Sequence, residues 1–545
     1  MQDHVKAVFA YHELSKHDLG KYAKGPDSLD WDLQPNPFRE FAASERISLP
    51  LTADRLDYTL HDVLTTNAIP ASEFTLESIG QFLQVSMGLS AWKISGNDRW
   101  AVRCNPSSGN LHPTETYVVC NTIEQLTAGV YHYQSHDHCL EKRCDLTTHS
   151  ATVDESLHSD GLIIGLSSIY WRESWKYGVR AYRYCQLDVG HAIAALRYGA
   201  ALQGWHAHLL TQPGDAQVAR LLGIDRQNDF QDCEKETPDV LLLVHRQADL
   251  DITRLDIEPL ASAAHAASWT GKANVLSPQG RIRWPDINQV SQACSKPDTQ
   301  FTSVTTESPH DHAVTNHDIN ASQVFRQRRS AIAFDGQTML STASFFQILS
   351  AISPDTQSVP FDCWSGAAHI HPVFYIHRVA GLNAGLYALP RSEQGFAQLK
   401  ENFRDQFEWQ KPEQCPEAIP FYRLVNANCQ NAAKTLSCHQ DIASQGAFAV
   451  SMLAEFESVI QDTPWNYRSL YYEAGMLGQA LYIEAEAVNA RGTGIGCFFD
   501  NKIHETLGIK DQTLQCLYNF TVGTSVLDNR LVSLPPYSHL QQHQE

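Results

Sequence analysis

"YRYCQLDVGHAIAALRYGAALQGWHAHLLTQPGDAQVARLLGI" (residues 182–224) has a counterpart later in the same chain, "YRSLYYEAGMLGQALYIEAEAVNARGTGIGCFFDNKIHETLGI" (467–509). Both begin Tyr-Arg and end Leu-Gly-Ile. Tyr182, Arg183, Gly190 and Gly223 meet Tyr467, Arg468, Gly475 and Gly508 at one constant offset of 285 positions, and Asp188 meets Glu473. The same offset carries Gly161 of "GLIIGLS" onto Gly446 of "GAFAVSM". An ungapped register from 161 to 224 points to duplication. Copies of roughly 200 residues are too long for solenoid repeats, so two duplicated domains are expected. Looser matches extend the pattern, such as "SSGNLHP" (107–113) with "WSGAAHIHP" (364–372).

Each copy reads as mixed helix and strand. Leu470, Ala474, Leu477, Leu481, Ala485 and Val488 step by three and four, which predicts a helix over 467–490 and, by register, over 182–205. Short apolar runs between turn residues predict strands at "TYVVC", "GLIIGLS" and "DVLLLV" in the first copy, and at "AFAVSM" and "LYNFTV" in the second. Helices alternating with strands indicate α/β or α+β layering. Between the copies, "SKPDTQFTSVTTESPHDHAVTNHDINAS" (295–322) is polar and reads as connection. The expected organisation is an N-terminal extension over 1–70, domain 1 over 71–250, a linker over 251–320, domain 2 over 321–530 and a tail over 531–545.

With 43% hydrophobic and 19% charged residues in 545, the chain has ample material for cores. A formal charge of −20 argues against a dedicated nucleic-acid or anionic-membrane binder. No apolar run approaches a membrane span, and "MQDHVKAVFAYHELSK" lacks the pattern of a secretory signal. The thirteen cysteines contain no C-x-x-C pair and read as free buried thiols. A cytoplasmic protein is expected.

The chemistry-bearing residues are divided between the copies. "FRQRRSAIAF" (325–334) sets Arg328, Arg329 and Ser330 side by side, a combination that suits a phosphate or else a solvated basic patch. "RGTGIGCF" (491–498) brings Gly492, Gly494 and Gly496 together, suited to close approach of a ligand or to a turn. At the same register the first copy has Ala207, Leu209 and Thr211. Conversely, "NPSSGN" (105–110) belongs to the first copy, and the second has only "CWSGAA" (363–368). Half a site kept in each copy implies one composite site between them and a degraded twin filled by side chains, hence one ligand per chain.

Other candidates are weaker. His206, His208, His369, His371, His310, His312 and His317 lack the paired spacing of a zinc site, so no metal is expected. His112 and His371, each before a proline, read as structural. Asp188 and Glu473 are expected in buried ion pairs with Arg183 or Arg468. No G-x-S-x-G and no P-loop is present.

These residues together resemble the nitroreductase-type flavoprotein family, in particular its SagB/ThcOx-like (azoline oxidase/dehydrogenase) branch. In that family FMN lies at a dimer interface. One subunit supplies Arg-x-Ser and a late Gly-rich loop; the other supplies a Pro-Ser-Ser/Ala-Gly segment. The resemblance places Arg328, Arg329 and Ser330 in the first element, Gly494, Ile495 and Gly496 in the second, and Pro106, Ser107, Ser108 and Asn110 in the third. "WKYGVRAYRYCQLDVGH" (175–191) resembles the branch's Lys-Tyr-Gly-x-Arg-x-Tyr-Arg segment, which makes Lys176 and Tyr177 the implied catalytic pair. Ile332 departs from the pattern, standing where many members have a second basic residue.

The resemblance implies tandem nitroreductase-like three-layer domains forming an intrachain pseudo-dimer, with a further homodimer left open. It implies an FMN-dependent dehydrogenase or oxidase that passes hydride to flavin N5 from a small-molecule substrate or a peptide- or amino-acid-derived one. Backbone N–H groups of Gly494–Gly496 are expected at the isoalloxazine edge. Two alternatives stand beside it: an NAD(P)H-dependent nitro or quinone reductase, and a flavin-free peptide-binding scaffold.

Overall fold

The computed structural model describes residues 1–541 apart from 66, 158–160, 249, 254, 278–281, 301–317 and 354–357. His310, His312 and His317 lie outside the described residues.

The N-terminal extension opens with helix α1 (Gln2–Leu14), whose Val8, Tyr11 and His12 are buried. The first sheet is built from β1 (Thr114–Cys120), β2 (Gly129–Gln134), β3 (Cys139–Asp145) and β4 (Gly161–Ser168). Helices α2 (Tyr170–Tyr177) and α3 (Ala181–Leu202) follow, then β5 (His206–Leu209), α4 (Asp215–Leu222) and β6 (Thr237–His245). The spatial order is β3-β2-β1-β4-β6-β5, with Glu45–Ser48 and Ser268–Trp269 completing eight strands at β3.

After α5 (Ala321–Gln327) come β7 (Ile370–Ile376), β8 (Gly385–Ala388), β9 (Tyr422–Asn426) and β10 (Phe448–Glu455). Then follow α6 (Asn466–Ala487), β11 (Arg491–Ile495), α7 (Asp500–Leu507) and β12 (Leu514–Gly523). This six-stranded sheet has the order β9-β8-β7-β10-β12-β11. The run β2-β1-β4-β6-β5 in the first sheet therefore has the same order as β8-β7-β10-β12-β11 in the second, and every pairing along both is antiparallel.

The two long helices carry the 285-residue register in their bounds: α3 and α6 each have 22 residues, and α4 and α7 each have 8. Both short helices stop at a glycine in the left-handed region, Gly223 (φ 68) and Gly508 (φ 98), which a β-carbon would strain. Every residue of α3 is buried, as expected of a helix covered on all sides. α3 packs on α6. A β-carbon on Gly190 would lie 2.2 Å from the Tyr472 carbonyl oxygen, and one on Gly475 2.3 Å from the Leu187 oxygen. Glycine at this matched pair is what lets the two backbones touch.

The N-terminal extension packs across both halves. Tyr11 Oη donates to the Val179 carbonyl at 2.6 Å, and Arg183 Nη2 donates to the His12 carbonyl at 2.7 Å. The backbone N–H of His17 donates to Asp500 Oδ2 at 3.0 Å. Helices Glu258–Ala266 and Pro285–Ala293 follow the first sheet, burying Leu260 and Ile287 among others.

Two ion-pair expectations are corrected. Arg183 pairs with Asp500, not Asp188, and Arg468 pairs with Asp215, at 2.6 and 2.7 Å. Glu473 pairs with Arg391. Helical register decides which residues share a face, but these partners come from other elements.

Candidate functional site

A cavity of about 800 Å³ collects Pro106, Ser107, Ser108 and Asn110 from the first half and Arg328, Arg329, Ser330, Gly494, Ile495 and Gly496 from the second. All ten expected cofactor residues thus meet in one place. Its size falls in the range of about 300–1,000 Å³ common to ligand sites.

The first lip is "NPSSGN". Gly109 and Asn110 sit at φ 59 and 60, turning the chain tightly before β1. A β-carbon on Gly109 would fall 2.5 Å from Tyr177 Oη, so α2 presses against this turn. Ser107 Oγ accepts from the His112 N–H at 2.8 Å, and Asn110 Nδ2 donates to the Ala101 carbonyl at 2.8 Å. The lip is therefore held in shape by its own polar side chains.

The second half supplies charge. Arg328 follows α5 and is 3% exposed. Its Nε donates to the Cys104 carbonyl at 2.9 Å and its Nη2 to the Arg103 carbonyl at 3.2 Å, while Nη1 has no hydrogen-bond partner among the described residues. Its guanidinium lies 4.8 Å from the Tyr482 ring centroid. Arg329 instead spends its guanidinium on the carbonyls of Arg326, Arg328 and Ser90. Lys93, Arg103 and Arg491 also line the cavity, against the carboxylates of Asp188 and Asp528. Burial pulls Arg103 down to about 10, and burial followed by the charge of Arg328 does the same to Arg329. An anion here would relieve that crowding.

The glycine segment differs from the expected loop. Arg491–Ile495 is edge strand β11, paired with β12. The glycines serve close approach all the same: a β-carbon on Gly494 would fall 1.8 Å from Tyr518 Oη, and one on Gly496 2.3 Å from Tyr184 Cε1. The Gly494 N–H is already given to Tyr482 Oη at 2.9 Å, and that hydroxyl also meets Ser330 Oγ at 2.8 Å. The expectation that Gly494 offers a free N–H is thereby corrected.

Tyr177 lines the cavity; Lys176 is not among the lining residues, and its Nζ lies 5.4 Å from the Tyr177 ring centroid. Burial and then the charge of Glu173 push the Tyr177 hydroxyl well above its ordinary value.

Asp188 is a site residue that the sequence reading set aside. It is 2% exposed, and its carboxylate accepts from the Ser108 N–H at 3.2 and 3.3 Å and from Ser108 Oγ at 3.3 Å. Burial pushes it up to about 7 against those hydrogen bonds. Burial and then the charge of Asp188 push the neighbouring Glu173 carboxyl well above the usual range. His191 was also missed. It lines the cavity, meets Tyr518 Oη at 3.0 Å, and is held down to about 3 by burial. It is therefore neutral. The one available signal was the position of both on a helix flanking "KYG".

The degraded twin is not filled, contrary to expectation. A cavity of about 490 Å³ remains, lined by Leu209, Thr211 and Glu473, the register partners of Gly494, Gly496 and Asp188, with Trp364, Gly366 and Asp239. Bulky side chains replace the glycines there without closing the space.

Among the described residues one group that includes histidines, His136, Asp137 and His539, brings its ligand atoms within 4.8 Å of one another. His206 and His208 stack on His245. Of the cluster His136, Asp137 and His539, both ring nitrogens of His539 are engaged, one by Trp92 Nε1 and one with the His136 carbonyl.

Residues 99–233 match the model of the nitroreductase family. That span holds the first lip, α2 and α3. The fold agrees over nearly the whole chain with a solved structure, a candidate nitroreductase from Anabaena variabilis ATCC 29413. That likeness has a TM-score of 0.67 and 22% identity, over 95% of this chain and 99% of that one. The nitroreductase-like α+β fold is thus shared well beyond the matched span. Two lesser likenesses are the E. coli microcin synthetase McbBCD complex with truncated pro-MccB17 bound (TM-score 0.26, 15% identity, 46% of this chain and 95% of that one) and an oxidoreductase containing FMN (TM-score 0.21, 16% identity, 41% and 80%). No curated protein matches the chain. No helix among the described residues is long and apolar enough to cross a membrane.

Proposed function

We propose that the 800 Å³ cavity holds FMN and that the chain is an FMN-dependent dehydrogenase or oxidase of the nitroreductase superfamily. Its substrate would be peptide- or amino-acid-derived, as in the SagB/ThcOx-like branch. The observation that carries the reading is the buried, unpaired Nη1 of Arg328 in a cavity whose lining is assembled from segments of both halves. A buried guanidinium nitrogen without a partner is costly unless a ligand completes it. The equal strand orders and matched helices support reading the chain as an intrachain pseudo-dimer with one such site.

Bound flavin supplies the two-electron redox chemistry. The residues of the chain bind and orient it and manage the proton. Arg328, with Lys93 and Arg329 nearby, forms the phosphate end. Ser330 and Tyr482 brace β11 where the ring plane would lie. Tyr177, packed against the Gly109 turn, closes one wall, with Lys176 behind it. We add Asp188 to this pair: its carboxyl, up to about 7, holds or releases a proton at Oδ near neutral pH.

The purified protein is expected to be yellow, or to become so with FMN, and flavin released by denaturation should be FMN. Anaerobic mixing with NAD(P)H and with a panel of peptide or amine substrates separates the dehydrogenase from the reductase. A colourless protein that takes up no FMN overturns the reading in favour of a flavin-free scaffold.

A further inference from the structure

Of the thirteen cysteines, eleven are buried; Cys438 and Cys497 alone are partly exposed. These two are neighbours, their thiols close enough to shift each other's ionisation, although 59 positions separate them in the sequence. Cys497 directly follows Gly496 and lines the large cavity. Cys438 and His439 both have positive φ, 53 and 61, a sharp turn that presents the Cys438 side chain. Gln440 Nε2 ties the two segments by donating to the carbonyls of Ser437 and Cys497, at 2.9 and 3.2 Å.

The surroundings make the two sulfurs unequal. His17, from the N-terminal extension, accepts the Ala23 N–H on Nδ1 at 2.9 Å, and its ring lies beside the Cys497 thiol. Arg180 donates to the Gly496 carbonyl at 3.1 and 3.2 Å, with Nη1 on Asp500 at 3.0 Å. The Tyr22 hydroxyl hydrogen-bonds Cys438. The hydrogen bond from Cys438, then those from His17 and the charges of His17 and Arg180, hold the Cys497 thiol below its ordinary value, against burial. Cys438 is pushed the other way. Arg180, held on the Gly496 carbonyl, and His17 stand on the Cys497 side of the pair, so Cys497 is the sulfur placed to attack and Cys438 the one to resolve, the division of labour that thiol–disulfide exchange needs.

We propose that Cys438 and Cys497 are a redox-active dithiol that forms a reversible disulfide in the cavity wall. The co-reactant is a small disulfide of the glutathione type. The Cys497 thiolate attacks one of its sulfurs, forming a mixed disulfide and releasing one small thiolate. Cys438 then gives up its proton and attacks the Cys497 sulfur, forming the 438–497 bond and releasing the second thiolate. Two electrons pass from the protein to the small disulfide, and the two protons that leave the cysteines end on the two small thiols. The N-terminal extension, which packs His17 and Tyr22 on the pair, tunes this site.

The test uses the full-length protein equilibrated in mixtures of reduced and oxidised glutathione, acid-quenched, alkylated, digested and weighed by mass spectrometry. A cross-linked 438–497 peptide should appear as oxidised glutathione increases and revert when reduced glutathione is restored. Cys438→Ser should accumulate a glutathione adduct on Cys497, and Cys497→Ser should leave Cys438 without one. The proposal is overturned if both cysteines stay thiols across the series, or if the adduct in Cys438→Ser forms elsewhere. The readout is mass rather than turnover, so it is independent of whether the cavity holds a flavin.

Discussion

Replacing Asp188 with asparagine isolates the ionisation of one carboxyl at the cavity. Asp188 is 2% exposed, and its bonds come from Ser107 and Ser108, which are neutral. Burial raises it to about 7, whereas a carboxyl in an unfolded chain titrates near 3.9. At about 1.4 kcal/mol per unit, three units set a ceiling of roughly 4 kcal/mol. The sign follows from proton counting. Between about pH 4 and pH 7 the folded protein keeps a proton that the unfolded chain releases, so stability falls as pH rises through that window. Below pH 4 the penalty is absent, and above pH 7 it is complete. The amide introduced by Asp188→Asn keeps an acceptor for the Ser108 N–H and carries no charge. Urea melts of both proteins at a series of pH values should show the stability of Asp188→Asn relative to the parent growing from pH 4 to pH 8. Growth of about 1–4 kcal/mol is expected, the lower end if Glu173, relieved of a neighbouring charge, ionises more readily. A stability difference that does not change with pH would refute the argument, because it would mean that Asp188 is ionised and solvated in the folded protein.

Arg328→Ala should weaken FMN binding by about 1.5–3 kcal/mol, tenfold or more, measured by quenching of flavin fluorescence; an unchanged Kd in a folded variant contradicts the phosphate role. Arg329→Ala should weaken it less, since the Arg329 guanidinium is spent on backbone carbonyls. Lys176→Ala and Tyr177→Phe should keep flavin but slow its reduction by substrate about 100-fold or more in stopped flow, and wild-type rates in both would remove the pair from the chemistry. Gly109→Ala must hold φ 59 and meet Tyr177 Oη, so thermal unfolding should show a loss of about 1–2 kcal/mol or more. Flavin released by denaturation should equal one per chain, and a ratio near two would mean that the 490 Å³ cavity also binds it.

Much of the architecture was legible because it rests on local pattern. The apolar steps of 467–490 and the turn residues around each short run place α6 and the main strands close to their observed ends. The site was legible in part. Arg328, Gly494 and Pro106 were recognisable as residue types that each copy kept alone. Asp188 and His191 were not, because on an entirely buried helix no polar position stands out by periodicity.

By itself the sequence determined the matched helices, the strand-forming runs and the segregation of basic, glycine-rich and Pro-Ser-Ser segments between the halves. These follow from backbone preference and hydrophobic period, which act over a few residues to a few turns. Only the tertiary structure decided that β11 is a strand, since an edge strand of glycines is made by its partner β12 and not by its own propensity. It also decided that Asp500 takes Arg180 and Arg183, that Cys438 meets Cys497, and that Arg328 keeps one nitrogen unpaired. Charge pairing and thiol contact depend on distance through space, and residues tens to hundreds of positions apart carry no local signal of it.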